Sequence, residues 1–158
     1  MTRLCSTFKV LLLSLTLLFQ SQLAYAQISV TTTQNISYGS FTFVDMANVL
    51  EITIDTDDNV TNTSNVALIT VPKSGQYTLT GGNPLTAFNV STDSSVTLSG
   101  DGPGTFVIDD IVVEPATSIF DAFGDADISL GGRLRSSGGG VQYGNGGYSG
   151  TLNITVSY

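Results

Sequence analysis

The C-terminal stretch Thr151-Leu152-Asn153-Ile154-Thr155-Val156-Ser157-Tyr158 decides the fold class. Successive side chains of a strand point to opposite faces. Leu152, Ile154, Val156 and Tyr158 therefore share one side, and Thr151, Asn153, Thr155 and Ser157 share the other. A slip of one residue would turn every apolar group to water, so this pattern specifies a strand with one buried face.

The same two-residue period recurs toward the N-terminus. Ile28, Val30 and Thr32 alternate with Ser29, Thr31 and Thr33; Leu50, Ile52 and Ile54 alternate with Glu51, Thr53 and Asp55. Phe41–Val44, Gln76–Thr80, Thr86–Val90, Ser95–Ser99, Thr105–Ile108, Ile111–Glu114 and Ala126–Arg135 read as further strands, rich in the β-branched and aromatic residues that suit a pleated surface. Val66–Val71 is a nearly continuous apolar run, which predicts a strand buried on both faces. Turn formers separate these runs at Asp57-Asp58-Asn59, Lys73-Ser74-Gly75, Gly81-Gly82-Asn83-Pro84 and Gly100–Gly104. No stretch sustains a helical period. Short strands with turns about every 8 to 12 residues predict an antiparallel β-sandwich of the immunoglobulin-like kind.

The N-terminus has another character. Arg3 and Lys9 precede the apolar run Val10–Phe19, and Ala24-Tyr25-Ala26 follows it. A basic start, a short apolar run and a small-x-small end predict a signal peptide over residues 1–26, cleaved after Ala26. The remaining 27–158 predicts a single sandwich domain. No other apolar run reaches the length of a membrane-spanning helix, so the mature chain is not expected to span a membrane.

Charge and composition exclude several functions. Of five basic residues only Lys73, Arg133 and Arg135 lie beyond position 26, against thirteen acids, a formal charge of −10 for 27–158. Such a chain has little to neutralise phosphates, which argues against nucleic acid as a partner. It has no His, and its single Cys is Cys5. Ser-His and Cys-His nucleophile pairs, the usual zinc sites and disulfides in the mature chain all fall away. No catalytic residue, cofactor or metal ligand is assigned.

Three acidic clusters invite a calcium or glycoside-hydrolysis reading. Asp55–Asn59 begins like an EF-hand loop, but Val60 stands where that loop needs Gly and Val66 where it needs Glu. Asp109-Asp110 and Asp121–Asp127 read as solvated turns, with a loose Ca²⁺ site as the alternative. A hydrolase built on paired carboxylates also lacks an aromatic-lined cleft, since the chain has no Trp. Gly138–Gly147 lacks the Gly-Lys-Ser/Thr end of a phosphate loop and reads as a flexible hairpin loop joining the last two strands.

Gln27–Ser37 supports two readings. It is the first strand of its own sandwich, or it leaves its subunit and completes a neighbour's sheet by β-strand addition, with Ile28 and Val30 filling alternate pockets.

The last third of the chain resembles a bacterial exported family catalogued as domain of unknown function 4402. Ile128-Ser129-Leu130-Gly131-Gly132-Arg133-Leu134, a Gly-rich loop, and Gly147-Tyr148-Ser149-Gly150 running into the final strand match that family's "VGGTL … GxYxGTxxVTVxY" ending. Ile36–Ser40 resembles its "LxFG" element, with Tyr38 in place of Phe, and Ala87-Phe88-Asn89-Val90 resembles its "AxFxV" strand. Arg133 stands where the family often has Thr.

The resemblance implies a small exported sandwich, similar in layout to the major subunits of bacterial fimbriae. On that analogy the protein is a non-enzymatic, pilin-like subunit of a Gram-negative bacterium, passing through the periplasm to the cell surface or a fimbrium. Its partners would be copies of itself or other pilin-like subunits, served by a periplasmic chaperone and an outer-membrane usher. Ile28, Val30 and Ile36 are the expected donor positions, and Leu152, Ile154, Val156 and Tyr158 the expected core or groove strand. The alternative is a self-contained monomeric sandwich that binds a glycan or Ca²⁺.

Overall fold

The structure is a computed structural model and describes residues 27–158. The expected signal peptide over 1–26 lies outside the described residues. Twelve strands and no helix make up the described chain: β1 (Ser29–Gln34), β2 (Phe41–Phe43), β3 (Glu51–Ile54), β4 (Val60–Asn62), β5 (Val66–Leu68), β6 (Gly75–Thr80), β7 (Ala87–Thr92), β8 (Val96–Leu98), β9 (Phe106–Glu114), β10 (Thr117–Ile119), β11 (Ala126–Ser136) and β12 (Ile154–Ser157). Every pairing is antiparallel. The fold is all-β and sandwich-like, as the alternation predicts.

The base of the sandwich is a seven-stranded sheet centred on β11. The first half of β11 pairs with β6 (Ala126 opposite Leu79), the second half with β3 (Leu134 opposite Ile52), and β9 lies along it from Ser129 to Ser136. β1 closes one edge by pairing with β6, β4 extends β3, and β8 extends β9. Above this base lie two separate small sheets, β10-β7-β12 and β2-β5.

Each small sheet covers its own core cluster. Phe41, Phe43, Val66 and Leu68 of β2-β5 pack with Ile52, Ile54, Val96, Phe106, Ile108 and Leu134 of the base. Phe88, Val90, Ile154 and Val156 of β7 and β12 pack with Leu79, Ile128 and Leu130 of the base. Ile111 and Leu152 touch both clusters. Burial of these apolar side chains, at about 25 cal/mol per Å² removed from water, is the main term holding the layers together.

Several expectations need correction. Val66–Val71 is not buried on both faces: strand structure stops at Leu68, and Ile69 and Val71 are each 69% exposed. The reason is its place in a two-stranded sheet with a free edge, where only Val66 and Leu68 meet the core. Thr105–Ile108 and Ile111–Glu114 are one strand, β9, interrupted by a bulge at Asp109-Asp110. Asp110 sits at φ 47°, and the guanidinium of Arg133 on β11 holds both carboxylates, at 2.8 Å from Asp109 Oδ1 and 2.8 Å from Asp110 Oδ2. That pairing lets two acids sit mid-strand without mutual repulsion dominating.

Gly138–Gly147 is not a hairpin loop, because β11 and β12 belong to different sheets. It carries the chain from the base toward the upper layer, packing Tyr143 and Tyr148 against Phe106 at ring-centroid distances of 4.6 and 4.8 Å. The final strand is also shorter than its alternation, spanning Ile154–Ser157, although Leu152 still reaches the core.

Candidate assembly groove

The two small sheets leave the upper layer divided. Among the described residues β12 is paired only with β7 and β2 only with β5, so each has an unpaired edge there. A groove of about 1020 Å³ is lined by residues 35–43, which lead into and form β2, and by 143–152 with Ile154 of β12. Val96, Leu98, Phe106, Ile108, Ile111 and Leu134 of the base also line it, with Met46, Tyr77 of β6 and Thr32 of the subunit's own β1. None of its lining residues carries a charge, in a described chain with a formal charge of −10.

One polar group in this lining stands out. The ring of Tyr38 is 7% exposed, and its hydroxyl has no hydrogen-bond partner among the described residues. Gly132 on β11 leaves it room, since a Cβ there would come within 3.1 Å of the Tyr38 hydroxyl. Burial, with a smaller contribution from the charge of Asp109, pushes the Tyr38 phenol well above its usual range. It is a neutral donor at any ordinary pH. A buried hydroxyl without a partner costs on the order of 1–3 kcal/mol.

The structure distributes the expected donor residues unevenly. β1 pairs with β6 inside its own subunit, with Val30 opposite Leu79 and Thr32 opposite Tyr77. Its side chains from Ser29 to Thr33 are nevertheless exposed, Val30 at 40%. Ile28 packs against the cluster under β7 and β12. Ile36 is not on β1: the register breaks between Thr32 and Gln34, and Ile36 packs instead against the other cluster, in the groove wall. Of the C-terminal set, Leu152 and Ile154 line the groove, Val156 packs in the cluster beneath β7, and Tyr158 is 53% exposed with its ring 6.4 Å from Phe120.

Residues that the sequence reading passed over line the same groove: Tyr38, Phe41, Phe43, Phe106, Tyr143 and Tyr148. Phe106 lies within 6.2 Å, centroid to centroid, of Phe41, Phe43, Tyr143 and Tyr148. Two tyrosines inside a glycine-rich stretch were the available signal, because a purely flexible connection has no use for rings.

The acidic clusters bond to their own backbone or to cations. Asp55 Oδ1 accepts from the amides of Asp57 and Asn59 at 2.9 and 2.8 Å, and Asp121 Oδ1 accepts from Phe123 and Asp125 at 2.8 Å each. These are the solvated turns expected of Asp. Both carboxyls are held below the usual range, Asp55 chiefly by the Asn59 side chain and Asp121 chiefly by the Asp125 amide. Asp109 is drawn below its usual value by Arg133 first and Arg135 second. Among the described residues no group of three or more acids gathers to hold a metal ion.

Comparison with known proteins bears on this fold at one level. The family model described as Domain of unknown function (DUF4402) matches residues 28–158. The chain belongs to that family. The match takes in β1, the divided upper layer, the groove and the final strand alike. No curated protein and no solved structure matches the chain. The DUF4402 description names no activity, so functional argument returns to the groove and to β1.

Proposed function

We propose that this DUF4402 protein is an exported, non-enzymatic structural subunit that assembles at the bacterial surface by β-strand addition, in the manner of a pilin. Its partners are copies of itself or other pilin-like subunits, with a periplasmic chaperone and an outer-membrane usher as the helpers that the fimbrial analogy supplies. The observation that carries the reading is the condition of β1. Among the described residues it is an edge strand with β6 as its only strand partner, and its side chains from Ser29 to Thr33 are exposed. Detaching it sacrifices ladder hydrogen bonds and the contacts of Ile28 but little else of the core.

Charge supports the same reading. Residues 27–44 carry no charged side chain, so this segment can approach a second, strongly acidic copy without repulsion of its own. An unpaired edge in the receiving copy offers the backbone partners that strand addition needs.

The test uses protein sheared from the surface of the native host, run on a denaturing gel before and after boiling. An inserted strand leaves slowly, so the expected result is a ladder that collapses to one monomer band on heating. Ile28→Asp with Val30→Asp should abolish the ladder while the monomer still unfolds cooperatively. A monomer band alone in both lanes, from cells shown to express the protein, would overturn the proposal.

A further inference from the structure

We infer that the acceptor for the incoming strand is the uncharged groove between β2 and β12, and that a second copy's residues 28–34 fill it with Thr32 against the Tyr38 hydroxyl. This rests on the strand-addition reading and gives it a site, an occupant and a register.

The topology asks for one strand. β10-β7-β12 ends at the free edge of β12, and β2-β5 presents the free edge of β2. Residues of both lie in the wall of a single groove, Phe41–Phe43 from β2 and Ile154 from β12. A strand laid there finds main-chain partners on its two sides, and the two small sheets become one continuous upper layer. The two core clusters, which share Ile111 and Leu152 as neighbours, become one.

Chemistry selects the occupant. The groove lining is apolar or hydroxyl- and amide-bearing throughout, with no charge to recognise an ionic ligand. The donor segment matches: Ile28, Val30 and Thr32 fall on one face, Ser29, Thr31 and Thr33 on the other, and none is charged. In its own subunit that first face lies beside the core without being covered by it: Val30 stands opposite the fully buried Leu79 and is itself 40% exposed. The break in register between Thr32 and Gln34 supplies a hinge, and the Ser37–Lys73 bridge, with backbone bonds of 2.9 and 2.7 Å, anchors the chain just beyond it.

The Tyr38 hydroxyl sets the register. It is a buried donor in the groove lining, and no side chain of that lining is within hydrogen-bond reach of it. Ile28 and Val30 suit the apolar part of the lining, and Thr32 is the first residue on that face able to accept a hydrogen bond.

Three sets of variants, in a Cys5→Ser background of the full chain, test this. Thr31→Cys with Thr78→Cys joins two residues that are opposite each other across β1 and β6, within reach of a disulfide. Oxidised, this chain should not assemble; reduced, it should. Gly147→Trp and Ile154→Trp enlarge two positions of the groove lining, the first where an added Cβ meets nothing within 4 Å and the second half-buried on β12, and should block assembly while leaving cooperative unfolding intact. Tyr38→Phe should act in opposite directions. It should raise the melting temperature of the monomer by removing an unpaired buried hydroxyl, and weaken assembly about 5- to 10-fold by removing a hydrogen bond.

The outcomes separate. Assembly that is indifferent to the oxidised lock would overturn β1 as donor, and the proposed function with it. Assembly that the lock stops but both ring fillers permit would keep strand addition and overturn the groove, pointing to exchange onto the vacated β6 edge. Fillers that block, with a Tyr38→Phe chain that assembles as well as the parent, would overturn the register.

Discussion

Phe106→Ala is the perturbation that most directly tests how the divided core is held. Phe106 is 2% exposed, and its ring stacks on Tyr143 at 4.6 Å, meets Tyr148 edge-on at 4.8 Å, and contacts Phe41 and Phe43 at 5.6 and 6.2 Å. Truncating a buried Phe costs about 3–5 kcal/mol, depending on how far its neighbours can close in. Here the ring borders the groove, so its neighbours have room to relax, which favours the lower half of that range. Lost aromatic pairs, each about 0.5–1.5 kcal/mol, push the other way. The expected cost is therefore about 3–4 kcal/mol, read by urea denaturation as a midpoint lowered by more than about 1 M with little change in slope. The control is Val107→Ala on the same strand, which points outward, is 36% exposed and should cost under about 1 kcal/mol. Equal costs at the two positions would refute the pleat assigned to β9 and the packing of the 143–148 segment against it.

Two other measurements follow from the turns. Asp58 accepts from the Ser74 amide at 2.7 Å and pairs with Lys73 at 3.0 Å, which holds its carboxyl at about 2. A folded value below the unfolded one, about 3.9, means this stabilisation is complete above the unfolded value and is lost as pH falls from about 4 toward 2. Asp58→Asn should flatten that part of the stability-pH curve, and an unchanged acid limb would remove Asp58 from the account. Gly39→Ala should destabilise by more than about 1 kcal/mol in the same denaturation assay, because Gly39 holds φ +68° and an added Cβ would collide with the Thr70 carbonyl; a neutral result would contradict that approach of the two chains.

Most strands were legible because alternation is a local property. Leu50–Ile54, Gln76–Thr80 and Ala126–Arg135 each show their inward face in their own residues, and each became a strand within a residue or two. β4 and β10 escaped because Val60-Thr61-Asn62 and Thr117-Ser118-Ile119 are too short to show a period and owe their state to β3 and β7 beside them. The division of the upper layer was not legible at all. It depends on which distant strands pair, as Phe41 does with Leu68 and Ile154 with Thr92, and periodicity carries no such information. The donor face Ile28 and Val30 could be read, but Ile36, expected beside them as a donor position, lies beyond the register break after Thr32 and packs in the groove wall. Tyr38 shows in the sequence only as a Tyr in place of Phe; its burial in the groove lining gives the extra oxygen significance.

The place of β11 in the sequence has a consequence for how the molecule comes into being. Its residues 126–136 form the centre of the base sheet, joining β6 and β3 to β9, yet more than three-quarters of the chain precedes them. A ribosome reading from the N-terminus therefore releases small pairs such as β2-β5 and β3-β4, and no base sheet until the end of synthesis is near. Pairings that span so much chain are slow to form. The polypeptide consequently stays open and threadable for nearly the whole of its production, and a chain cut short before Ala126 has no centre around which to fold.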